Sequence, residues 1–261
     1  MSSRATVLFL ALVAAVPGLF AGTAHAQVQG SAAQRLGDMI FGAPDHEERT
    51  SATPAVARYR SDSGDGFVLD VATTNAALLK FDGSPEVWVL RPTPGPRGDV
   101  IYKNDLGEPM IRATRLGGLT LFTPERPQGM AAAFAREAAP PRSFGALEPE
   151  VLLQIFVQAS TRASRAARHL VVFEGPQDLT TASAPVFADA AVVCSQAFTQ
   201  VEASSKQGQT LLARFQKVLF LSGRAPGAGV QGTVVRITVT PELGLAGRPS
   251  SRRIASVISH K

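Results

Sequence analysis

Between residues 58 and 122 the chain runs in short segments of apolar and polar positions. Strand-length segments fall at 67–71, 78–81, 86–90, 100–103, 110–114 and 119–122. Turn-forming groups separate nearly all of them, including Gly64-Asp65-Gly66, Asp82-Gly83-Ser84-Pro85, a proline- and glycine-rich stretch at 92–98, and Gly117-Gly118. Short β-rich runs spaced by about 8–12 residues predict an antiparallel meander or a small barrel. In Val87-Trp88-Val89-Leu90 both faces are apolar. That predicts a central strand with Trp88 packed in a core.

Past residue 146 the period lengthens. Pro149 suits a first helical position, and Glu148 and Glu150 suit the positive end of a helix dipole. Val151, Leu152, Ile155, Phe156 and Ala159 then recur at helical spacing, so a helix is predicted to about Arg168. A short strand is expected at 169–174. A second helix is expected from Pro185, with Phe187, Ala190, Ala191, Cys194, Phe198 and Val201 as its apolar stripe. Alternating runs at 215–221 and 233–240 predict two strands, and 254–258 a last short one. The proline-rich connector 123–143 holds an Ala-rich segment, 130–138, that reads as a short helix. The predicted fold is α+β: an N-terminal antiparallel meander or small barrel at 58–146, then helices packed on a small, mostly antiparallel sheet at 147–261. The span 57–261 is also compatible with one continuous domain.

The N-terminus has a different pattern. Arg4 precedes an apolar run at 6–16, and Ala24-His25-Ala26 follows. A basic start, a short apolar core and a small-x-small exit are the parts of a secretory signal peptide, with cleavage expected after Ala26. The run is shorter than the roughly 20 residues that span a bilayer. No transmembrane segment is expected in the mature chain, and 27–57 reads as a flexible, polar lead-in. The expected location is the periplasm or the exterior.

Composition narrows the chemistry. The chain has 261 residues, a formal net charge of +5 and 45% hydrophobic residues, which excludes a disordered tail protein. One cysteine excludes an internal disulfide and any multi-cysteine metal site, and Cys194 is expected as a small buried hydrophobe. No cofactor or metal is expected; His46 beside two acids is a single histidine in a lead-in segment. Gly227-Ala228-Gly229-Val230-Gln231-Gly232 has the letters of a dinucleotide fingerprint. A β run follows it where the phosphate site needs a helix N-terminus, so it reads as a glycine-rich loop between strands.

The chain up to residue 150 leans acidic and the rest leans basic. Arg162, Arg165 and Arg168 read as a solvated helix face. In Gly247-Arg248-Pro249-Ser250-Ser251-Arg252-Arg253, the hydroxyls of Ser250 and Ser251 and the guanidinium groups of Arg248, Arg252 and Arg253 could cradle an anion; a solvated capping turn is the plainer reading. The segment 97–126 is rich in charge and turns. There Arg97, Asp99, Arg112, Arg115 and Arg126 are candidates for binding a partner, or for an internal salt-bridge network. Aromatics are not interleaved with the bases, which argues against nucleic acid.

Three stretches stand out together: Phe81-Asp82-Gly83-Ser84-Pro85-Glu86-Val87-Trp88-Val89-Leu90, the segment from Gly98-Asp99-Val100-Ile101-Tyr102 through Gly117-Gly118-Leu119-Thr120-Leu121-Phe122-Thr123-Pro124, and Gly247-Arg248-Pro249-Ser250-Ser251. With these the chain resembles a family of exported bacterial proteins classed as a domain of unknown function, over most of the mature chain. The resemblance implies an envelope setting and brings no activity or catalytic residue. The expected role is non-enzymatic: binding an unidentified envelope partner or an anionic ligand, or assembly. The alternative is an envelope hydrolase using loop carboxylates such as Asp99, Asp105, Glu108 and Glu125.

Overall fold

The computed structural model describes residues 55–141, 145–176, 179–204 and 207–260. The predicted signal peptide, the possible metal ligand His46 and most of the lead-in lie outside the described residues.

Eight antiparallel strands form a closed barrel in chain order: β1 (Val56–Ser61), β2 (Gly66–Thr73), β3 (Ala76–Phe81), β4 (Val87–Pro94), β5 (Val100–Lys103), β6 (Pro109–Ala113), β7 (Leu119–Thr123) and β8 (Arg126–Glu137). Pairing of β1 with β8 closes it. Closure removes both sheet edges. Strand alternation aims Tyr59, Phe67, Leu69, Leu79, Trp88, Leu90, Ile111 and Leu121 into a shared core. The rings of Tyr59 and Phe67 stack with centroids 5.6 Å apart, and Phe81 lies 6.1 Å beyond Phe67. Trp88 is in this core, as the two-faced apolar run predicts.

The Ala-rich segment 130–138, expected as a helix, belongs to strand β8 instead. Its Ala132 lies opposite both Ser61 and Leu119, so two neighbours claim its backbone hydrogen bonds. Barrel closure outweighs the few tenths of a kcal/mol per residue, roughly, by which alanine favours helix. Gly129 sits at φ 83°, and a Cβ there would collide with the Phe122 ring, which lies over the backbone.

The second part is built from α1 (Pro149–Ala167), β9 (Val172–Glu174), α2 (Ala184–Ser204), α3 (Gly208–Leu212), β10 (Lys217–Ser222), β11 (Gly227–Gln231), β12 (Val234–Val239) and α4 (Ser251–Ser259). Its sheet has the order β11-β12-β10-β9. This sheet is mostly parallel, where a mostly antiparallel one was expected. β10 runs parallel to both neighbours, and only the β11–β12 pair is antiparallel. The helices α2 and α3 make the crossover from β9 to β10 that a parallel pair requires. The glycine-rich stretch read as a loop forms the edge strand β11, so β10 is not joined to β12 by a simple hairpin.

Residues 254–258, expected as a strand, lie in α4. Ile254 and Ile258 are one turn apart and both fully buried, a spacing that the β-branched composition masks. The side chain of Ser250 caps this helix, accepting from the Arg253 N–H. Helix α2 is buried around most of its circumference rather than along one stripe, with Phe187, Cys194 and Phe198 all at 0–1% exposure. Burial pushes the Cys194 thiol well above its usual range. His169 ties the end of α1 to the sheet, its ring nitrogens 3.0 Å from the Ala167 carbonyl and 2.7 Å from that of Phe215.

Candidate functional site

An up-and-down barrel brings alternate hairpins to the same end. The β1–β2, β3–β4, β5–β6 and β7–β8 turns therefore share one mouth. The second part sits over it, and carboxylates in the barrel turns hold it there.

Arg248 is the centre of the junction. Its Nε donates to Asp189 of α2, its Nη2 donates to the Val87 carbonyl at 2.8 Å, and its Nη1 lies 3.5 Å from Glu86. All three charged groups are buried. Glu86 also accepts from the Ser251 N–H at 3.0 Å and from its hydroxyl at 2.5 Å. Burial pushes the Glu86 carboxyl above the usual carboxylate range, against the opposing pull of Arg248 and the Ser251 donors. Beside it, Asp105 accepts from the Ser250 N–H at 3.0 Å, from the Ser250 hydroxyl at 2.6 Å and from Arg253 Nε at 2.8 Å. Arg252 Nε reaches Glu108 at 2.5 Å. A Cβ on Gly247 would collide with the Thr240 carbonyl, so the turn into Arg248 needs a glycine there.

The 248–253 turn thus meets anions, and the chain itself supplies them: Glu86, Asp105 and Glu108 on the barrel and Asp189 on α2. All three stretches that carry the family resemblance meet at this junction, through Glu86, Asp105 and the turn from Arg248 to Ser251. The other nominated residues separate. Asp99 and Arg112 pair with each other at the opposite end, Arg112 Nε donating to Asp99 at 2.7 Å. Arg97 and Arg115 lie in turns at that same far end. Arg126 comes to the covered mouth. Of the four carboxylates considered for hydrolysis, Asp99, Asp105 and Glu108 are in ion pairs and only Glu125 lines an open surface.

Between the barrel mouth and α2 lies a cleft of about 820 Å³. Its inner wall is Phe81, Trp88, Met110 and Met130 from the barrel. Its outer wall is the polar end of α2, with Gln196, Gln200 and Ser204. Exposed Asp65, Glu125 and Arg126, with half-buried Arg252, form the rim. The volume is in the range of pockets that bury a small organic molecule, and the mouths of barrels are a common place for them. The sequence names Glu125, Arg126 and Arg252 but not the cleft, because its two walls lie about a hundred residues apart. The one local signal was Trp88 next to a turn rich in polar groups.

A second, apolar hollow of about 530 Å³ lies between α1 and the segment before α2, lined by Leu152, Leu153, Phe156 and Leu179 among others. Among the described residues no helix is long and apolar enough to cross a membrane. No group of three or more His, Cys, Asp or Glu among them is placed to hold a metal ion.

A family model described as a domain of unknown function (DUF4908) matches residues 34–258. The chain belongs to this family. The DUF4908 match spans the barrel and the helical part together, so both lie within one family unit. No curated protein and no solved structure matches the chain.

Proposed function

We propose that this chain is an exported, non-enzymatic binding protein of the bacterial cell envelope, and that the barrel-mouth cleft takes its ligand. The reading of export rests on the N-terminal pattern of Arg4, the apolar run and Ala24-His25-Ala26. The reading of binding rests on one observation: a cleft of ligand size with an apolar wall on the barrel and a polar wall on α2. A folded cap normally excludes water from a barrel end. Here it leaves space against Phe81, Trp88 and the two methionines, where a ligand would remove apolar surface from water.

Trp88 is the only tryptophan and stands on the cleft wall. Titration with N-phenyl-1-naphthylamine, an uncharged apolar fluorophore, should give saturable energy transfer from Trp88. Ala203→Phe, which narrows the cleft from α2, should remove it. Absence of transfer, or transfer unaffected by Ala203→Phe, counts against the cleft. Mass spectrometry of the exported protein should show a new N-terminus at Gln27, and an intact N-terminus would refute export.

A further inference from the structure

The geometry points to an uncharged ligand with an apolar body and at least one N–H or O–H group, which it presents to the amide oxygens of Gln196 and Gln200. This deepens the binding role proposed for the cleft and rests on it.

The two glutamines are one helical turn apart on α2, so their side chains are neighbours on one face. Each amide is anchored by its nitrogen. Gln196 Nε2 donates to the Ser84 hydroxyl at 3.2 Å, and Gln200 Nε2 donates to the Ser251 hydroxyl at 3.1 Å. Fixing the nitrogens leaves the oxygens as the free ends. Gln196 Oε1 is buried and accepts no hydrogen bond in the structure. Gln200 Oε1 accepts none among the described residues either. A buried amide oxygen without a donor is unfavourable, and a small turn of the Gln196 amide into the cleft would let a donor there relieve it. The α2 wall therefore leaves an unmet acceptor at Gln196 Oε1, beside the second N–H of each amide.

Charge decides the rest of the ligand. The rim carries two acids, Asp65 and Glu125, and two bases, Arg126 and Arg252, and Arg252 already pairs with Glu108. The inner wall of Phe81, Trp88, Met110 and Met130 carries none. A charged group seated against it would lose its hydration without a partner of opposite sign. An uncharged donor meets both walls.

Three compounds with one apolar body separate these features: decanamide, N,N-dimethyldecanamide and decanoate, each titrated below its micelle concentration against Trp88 fluorescence. Decanamide should bind about tenfold more tightly than the dimethylamide, which has no donor, and more tightly than decanoate at neutral pH. In Gln196→Leu/Gln200→Leu the dimethylamide should still bind, while the ratio of affinities that favours decanamide falls to about one. Retained dimethylamide binding also shows that the variant is folded. Equal affinity for the two amides, a preference that survives in the double variant, or decanoate binding as tightly as decanamide would overturn the inference while the cleft stands. No response of Trp88 to any of the three would overturn the cleft itself.

Discussion

At one end of the barrel the turns carry Glu86, Asp105 and Glu108; at the other they carry Arg97, Arg115 and Leu116. Both ends are closed by the same kind of short antiparallel turn. At the first, each acid meets a basic side chain or a helix-capping serine from the 248–253 turn. At the second, Arg112 and Asp99 pair within the barrel, and Leu116 is 90% exposed. The contrast is one of contacts: Glu86, Asp105 and Glu108 at the covered mouth meet the 248–253 turn, while Arg112 and Asp99 at the far end meet each other. Covering that mouth is also what makes the cleft.

The covered mouth is most sensitive at Arg248. Arg248→Met leaves the Glu86 and Asp189 carboxylates buried without their cation, which costs about 3–5 kcal/mol. Thermal unfolding should show a midpoint lowered by roughly 10 °C; a midpoint close to the parent's would mean that the junction is not stabilising. Asp105→Asn weakens the contacts to Ser250 and Arg253, and should cost about 1–2 kcal/mol in urea unfolding. A cost as small as that of Arg97→Ser, within about 0.5 kcal/mol at the open end, would erase the difference between the two mouths.

A smaller effect is expected from pH. The Glu86 carboxyl titrates above its ordinary value of 4.5 in the folded chain. The folded state then binds more protons than the unfolded one between that value and the raised one. Stability contributed by this group is full below 4.5 and declines as pH rises through the raised value. Glu86→Gln removes the slope, so the parent should lose ground to the variant as pH rises. A difference that stays flat, or grows in the parent's favour, contradicts the assignment.

The barrel was the more legible part because its pairings are local. Strands β2 to β7 follow from alternation and from turn residues such as Asp82-Gly83, and each pairs with its sequence neighbour. The errors came where distant partners decide. β8 has the composition of a helix and becomes a strand because β1, about seventy residues earlier, needs a partner. The 254–258 segment has the composition of a strand and becomes a helix because Ser250 caps it and Ile254 and Ile258 face a core. The parallel pairing of β10 depends on a crossover that no local pattern announces. The 248–253 turn looked like an anion site for a sound reason, since its donors do face anions. Only the fold shows that Glu86, Asp105, Glu108 and Asp189 supply them.

Trp88 reports on the junction, because it lies at the covered mouth and is only 8% exposed. Acrylamide quenching should be weak in the parent protein and in Arg97→Ser/Leu116→Ser at the open end. It should rise clearly in Asp105→Asn/Glu108→Gln, with the far-ultraviolet circular dichroism unchanged. If loosening the acidic turns leaves Trp88 as shielded as before, or if the open-end variant exposes it equally, the acidic turns do not hold the helical part over the barrel mouth.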